Sequence, residues 1–191
     1  MAAIFDDLTD SNLVALLQRG SIGILPTDTV YGLVCIADQP AAVERLYELK
    51  HREQKPGTIV AASVDQLVKL GFKRRYLRAV EQLWPGPVSI EQPNSNPDLR
   101  YLTQDTGRQA VRVVANKKLI DLMHETGPLL TSSANKPGAK PADTIEEAMA
   151  YFGNTVDFYV DGGNLANQKP STLIRVVDDV VEVLRKGAVK I

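Results

Sequence analysis

Uninterrupted apolar runs in this chain are short, as at residues 33–37 (LVCIA) and 59–62 (IVAA), and segments with helical spacing stand between them. Runs of that length suit buried strands and are far too short to span a bilayer. Strands alternating with helices through the first two thirds, then hairpin-like strands near the end, predict an α/β fold: an open, twisted mixed β-sheet with flanking helices. With 191 residues, 44% hydrophobic and 24% charged, the chain is expected to form a single domain over 1–191. The first residues, MAAIFDD, carry no basic stretch ahead of an apolar one, so a cytoplasmic protein is expected, without membrane attachment.

Local signals place the elements. Residues 9–20 open with capping residues, set Leu13, Leu16 and Leu17 at helical spacing and stop at Gly20. A strand is expected at 21–25, a helix from Pro40 to about 49, a charged loop at 50–55 and a strand at 58–62. Helical stretches at 63–70 and 76–83 precede a WPGP turn at 84–87 and a strand at 88–92. Residues 92–107, crowded with turn formers, read as a long surface loop. Strands at 110–114 and 128–131, helices at 117–124 and 144–152, and strands at 156–160, 171–177 and 180–184 complete the reading, with Asp178 and Asp179 as a hairpin turn.

Several chemistries lose their support. No P-loop, dinucleotide-binding or nucleophile-elbow pattern is present, and two histidines with one cysteine are too few and too scattered for a zinc site. Cys35, in an apolar run, reads as a small buried hydrophobe. Net charge is −1, yet residues 69–78 hold five cations and no acid, either a solvated helix face or a phosphate or RNA surface.

Three kinds of cluster suggest a ligand site. In AVRVV (110–114), alternation puts Arg112 on one face among small apolar groups. A guanidinium there needs either an internal acid or an anionic ligand, for which a carboxylate is a fitting partner. Lys50, Arg52 and Lys55 lie within six residues, which is either dipole complementation with loop charge or a phosphate-neutralising loop. Hydroxyl-rich strand ends recur at Thr27, Asp28, Thr29 and Tyr31, at Ser132, Ser133 and Asn135, and at Ser171 and Thr172. Each alone is a common capping or turn signal.

The stretch ILPTDTVYGL at 24–33 resembles the signature of the YrdC/TsaC family, the threonylcarbamoyl-AMP synthases of tRNA modification. Lys50 with Arg52, the WPGP turn, AVR at 110–112, SAN at 133–135, Ser171-Thr172 and the terminal RKG at 185–187 fall into the family's order over almost the whole chain. The resemblance implies a concave basic groove and a nucleotidyltransferase that joins L-threonine, bicarbonate and ATP with loss of pyrophosphate. It implies Arg112, Thr27, Thr29, Tyr31 and Ser171 on the threonine side. Lys50, Arg52, Lys55, Ser133, Asn135 and Arg185 are implied on the ATP side, with Lys50 and Arg52 catalytic, Mg²⁺ arriving with ATP and no protein-held metal. Implied partners are tRNA-modification transfer proteins, with a weak tRNA or double-stranded RNA contact. The chain departs from the pattern at Glu53, in the shortened loop before Lys55 and Pro56, at Gly57, at 113–116, and at Glu91, where an apolar strand residue is usual. A noncatalytic nucleotide- or RNA-binding relative of the YciO kind is the alternative reading, and a carbamoyl-transfer domain of the hydrogenase-maturation kind is a third.

Overall fold

The computed structural model describes residues 1–51, 54–78, 80–178 and 180–191. In chain order its elements are β1 (Ala3–Phe5), α1 (Ser11–Gln18), β2 (Gly23–Pro26), β3 (Tyr31–Ile36), α2 (Pro40–Lys50), β4 (Thr58–Ala61), α3 (Val64–Leu70) and α4 (Arg74–Arg78). Then follow β5 (Val88–Pro93), α5 (Arg100–Thr103), β6 (Arg108–Val113), α6 (Lys117–Thr126), β7 (Leu129–Ser133), α7 (Ile145–Phe152), β8 (Phe158–Val160), β9 (Thr172–Val177) and β10 (Val180–Arg185). All ten strands join one mixed sheet in the order β1-β8-β2-β3-β7-β4-β6-β5-β9-β10.

Helix ends follow the expected chemistry. Asp10, Ser63, Asn116 and Thr144 each accept a backbone N–H with the side chain at the start of α1, α3, α6 and α7. At α7 the Glu147 carboxylate also reaches back to the Asp143 N–H at 2.9 Å, satisfying a second orphan donor at that end.

Strand alternation divides the sheet into two faces. Ile24, Leu33, Cys35, Ile59, Val111 and Leu130 turn one way, into a core roofed by α2, α3, α5 and α7. Leu25, Val34, Val60, Leu129 and Val114 turn the other way, against Leu13 and Leu17 of α1 and Leu119, Leu122 and Met123 of α6. Those two helices cover only one half of their face. Over β6, β5 and β9 the same face is left open, and its alternate positions change from aliphatic to charged: Arg108 and Arg112, Glu91, Arg175.

Three expectations differ from the structure. The helical stretch expected at 76–83 is split between α4, over Arg74–Arg78, and a separate 3-10 turn over Glu81–Leu83. Residues 92–107 are not one long surface loop: β5 runs on to Pro93, a 3-10 turn occupies Pro97–Leu99, and α5 follows. Leu99 and Leu102 are buried in the core, Tyr47 donates its hydroxyl to Leu102 O at 2.7 Å, and Tyr101 donates to Ala37 O at 2.8 Å. Two leucines anchor the segment more firmly than its turn formers suggest. At the other end, β1 adds a parallel edge strand beside β8, too short to show a sequence period. Among the described residues no helix is long and apolar enough to cross a membrane.

Candidate active site

The open half of the sheet forms the floor of a cavity of about 490 Å³. Its first wall is the turn between β2 and β3. Thr27 Oγ1 donates to Val30 O at 2.6 Å, accepts from the backbone N–H of Thr29 and Val30, and lies 3.1 Å from Thr29 Oγ1. A hydroxyl at this position replaces backbone bonds that so tight a turn cannot make. The turn sits directly over β3, where a Cβ on Gly32 would fall 2.5 Å from Thr131 Oγ1 and 3.0 Å from Thr27 Cγ2. Only glycine allows that approach.

The turn also aims Asp28 at Arg112. The Arg112 Nη2 to Asp28 Oδ1 distance is 2.7 Å, with both side chains almost fully buried, and Arg112 Nη1 donates to Ser89 Oγ at 2.9 Å. Ser89 and Ser171 hydroxyls lie 2.8 Å apart, and Arg185 donates to Ser171 Oγ at 3.0 Å and Ser171 O at 2.9 Å. A single network thus joins the β2–β3 turn, β6, β5, the start of β9 and the end of β10. Each serine accepts from an arginine, so one hydroxyl proton binds the two serines together and the other has no acceptor within this set. Arg112 Nε and Asp28 Oδ2 are buried with no protein partner. The arginine therefore has both an internal acid and a cavity to face.

The opposite wall is the end of β7. Ser133 lines the cavity and donates to Asn135 Oδ1 at 2.6 Å. Lys50, 4% exposed at the end of α2, donates to Ser133 O at 2.8 Å, to Asn135 O at 2.5 Å and to Asn135 Oδ1 at 3.0 Å. Asn135 Nδ2 in turn donates to Ala139 O at 2.7 Å. Lys50 and Asn135 stand behind this wall as a brace, and neither lines the cavity.

Of the residues expected in the site, Thr27, Thr29, Tyr31, Lys55, Arg112, Ser133, Ser171 and Arg185 surround this one cavity. Arg52 and the departure at Glu53 lie outside the described residues. The Tyr31 hydroxyl donates to Gly163 O at 2.9 Å and accepts from Gly162 N at 2.8 Å, and burial pushes its pKa up. It holds the 161–163 turn against the site. Sequence reasoning missed Ser89, Glu91, Arg108 and Arg175. Arg108 could have been found by continuing the alternation of 110 and 112 back by two, whereas the others become neighbours through strand pairing alone. Cys35 is fully buried and burial pushes its thiol pKa up, away from any nucleophilic role. Among the described residues no three His, Cys, Asp or Glu side chains cluster to hold a metal ion.

Fold and site together define an open-sheet α/β protein with an arginine-rich groove. Residues 15–187 match the Sua5/YciO/YrdC family, described as Telomere recombination, and the chain belongs to that family. It is 36% identical over 171 residues to threonylcarbamoyl-AMP synthase of Klebsiella pneumoniae, covering 85% of this chain and 88% of that protein. It is 31% identical over 188 residues to a putative threonylcarbamoyl-AMP synthase of Mycobacterium leprae, covering 95% and 84%. Among solved structures, P. abyssi Sua5 complexed with L-threonine superposes with a TM-score of 0.84 at 26% identity, over 98% of this chain and 57% of that one. E. coli YciO superposes at 0.83 and 25% identity, over 98% and 96%. The chain thus spans little more than half of the Sua5 protein and nearly all of YciO.

Proposed function

We propose that this protein is an L-threonylcarbamoyladenylate synthase, forming threonylcarbamoyl-AMP and pyrophosphate from L-threonine, bicarbonate and ATP. The observation that carries the reading is the buried Arg112 fork at the floor of the cavity, flanked by Thr27, Thr29 and Ser171, with the cations Lys55 and Arg185 at its rim. A planar guanidinium suits the threonine carboxylate, and hydroxyls suit the amino acid's polar end. The relatives named threonylcarbamoyl-AMP synthase and the Sua5 structure complexed with L-threonine support the same reading.

The chemistry follows from charge. The threonine amine and bicarbonate combine with loss of water into an N-carboxylate. One of its oxygens then attacks the α-phosphorus of ATP, and the bond to the β-phosphate breaks to release pyrophosphate. Nucleophile and target are both anionic, so the protein's part is to bring them together and to hold the charge that develops on the leaving group. Arginines on the floor and Lys55 and Arg185 at the rim supply that field, and no covalent protein nucleophile is needed. Mg²⁺ carried by ATP would neutralise part of the triphosphate charge. Among the described residues the acid that lines the cavity, Glu91, is engaged by the Arg175 guanidinium, so these residues suit a metal that stays on the nucleotide.

The decisive test is pyrophosphate release with threonine and bicarbonate omitted in turn. Release that needs all three substrates is expected, and release indifferent to threonine would overturn the reading. One observation favours a noncatalytic binder of the YciO kind: the Lys50 ammonium is taken up by the 133–135 segment instead of facing the cavity. In that case ATP binds and no pyrophosphate appears. In the synthase reading the product passes to transfer proteins. The basic run, where Arg74 pairs with Asp65 and Arg75 lies 4.7 Å over the Tyr76 ring, would give tRNA a weak, salt-sensitive contact.

A further inference from the structure

The scheme above gives three charged side chains on the cavity floor no individual place against the substrates. Arg108 of β6, Glu91 of β5 and Arg175 of β9 stand on neighbouring strands of the uncovered face, and all three line the cavity. Glu91 Oε1 accepts from Arg175 Nε at 2.8 Å and Nη2 at 2.5 Å, while Arg108 Nη1 stays 3.7 Å away. Glu182 Oε2 lies 3.5 Å from the remaining Arg175 nitrogen. The arrangement is lopsided. Arg175 is fixed by short bonds, whereas Arg108, 41% exposed, is held by charge alone, and among the described residues its guanidinium donates no hydrogen bond.

A single carboxylate is met by one guanidinium, as Asp28 is by Arg112 Nη2. The guanidiniums of Arg108 and Arg175 rise from strands two apart and converge on the one oxygen Glu91 Oε1, and with Lys55 and Arg185 also lining the cavity they match oxygens spread over linked phosphates. We propose that Arg108 and Arg175 form the subsite for the terminal phosphates of the nucleoside triphosphate, and for the pyrophosphate made from them, with Glu91 as the resident anion that these phosphates displace. This rests on the synthase reading and assigns its leaving group a place. Glu91 keeps the two guanidiniums from repelling one another in the empty cavity, and it recovers Arg108 when pyrophosphate departs.

The test is calorimetric binding of inorganic pyrophosphate and, separately, of AMP to the whole protein, with no turnover involved. Arg108→Ala and Arg175→Ala should each weaken pyrophosphate about tenfold, the loss of a charge-assisted contact, and leave AMP within about twofold. Glu91→Gln should act in the opposite direction, tightening pyrophosphate severalfold, because it keeps the shape and removes the competing charge. A purely structural Glu91 predicts the reverse sign. Unchanged pyrophosphate affinity in the arginine variants, equal losses for AMP, or weaker pyrophosphate binding in Glu91→Gln would each overturn the proposal. Should Arg175→Ala not fold, Arg108→Ala and Glu91→Gln decide it alone. Failure of threonine-dependent turnover with this binding pattern intact would count against the synthase reading only.

Discussion

Arg112 illustrates why a site residue can be hard to test by deletion. Its guanidinium is tied to Asp28 in a buried pair, so Arg112→Ala would leave an acid without a partner in a place almost closed to water. Such breakage costs about 3–5 kcal/mol, enough to unfold a marginal domain. Urea denaturation is expected to show that loss before any effect on threonine can be read. A double variant, Arg112→Gln with Asp28→Asn, removes both charges and should recover most of the stability. Threonine affinity in this background, measured by calorimetry, should fall by about 1.5–3 kcal/mol, the worth of a charged hydrogen bond. An unchanged affinity would remove Arg112 from the threonine site.

Among the elements, the short segments do the positioning. Lys50→Met would take a charged donor from the acceptors of the 133–135 segment. A loss of about 2–4 kcal/mol is expected from buried carbonyls left unpaired, together with a raised KM for ATP as Ser133 shifts. Normal stability would show that the brace is dispensable. At the chain's end, a Cβ on Gly187 would meet Pro170 O at 2.3 Å, where Ala188 N donates to that same oxygen at 2.9 Å. Gly187→Ala should therefore lift the tail that carries Arg185 and cost about 1–3 kcal/mol, seen as a lower thermal midpoint and weaker nucleotide binding. Much of this was legible beforehand. Capping residues marked α1, alternation placed Arg112 on a strand face, and ILPTDTVYGL pointed to strand ends that serve a pocket. Partnerships made by register were not: nothing near Glu91 in the chain announces Arg175, 84 residues away. Residues 92–107 misled because composition outweighed the two leucines that bury them.

For the whole molecule, acid sensitivity should centre on the Arg45–Asp157 pair, which ties α2 to β8 and the start of β2. Burial alone would raise the Asp157 pKa, but bonds from Arg45 at 2.6 Å and from the Ile22 N–H at 2.8 Å prevail and hold it below its ordinary 3.8. The stability it contributes is complete above that ordinary value and disappears as pH falls through the depressed one. Asp157→Asn should lower stability near neutrality and flatten the acid limb of a pH–stability curve. An unchanged limb would place the acid sensitivity elsewhere. The network from Asp28 through Arg112, Ser89 and Ser171 to Arg185 has a further consequence for synthesis on the ribosome. Its last members, Ser171 and Arg185, come after every buried residue of the two larger core clusters, so a growing chain can bury most of its apolar core while still unable to recognise substrate. Ligands should protect the released protein against proteolysis and give ribosome-bound fragments ending before Ser171 no protection at all.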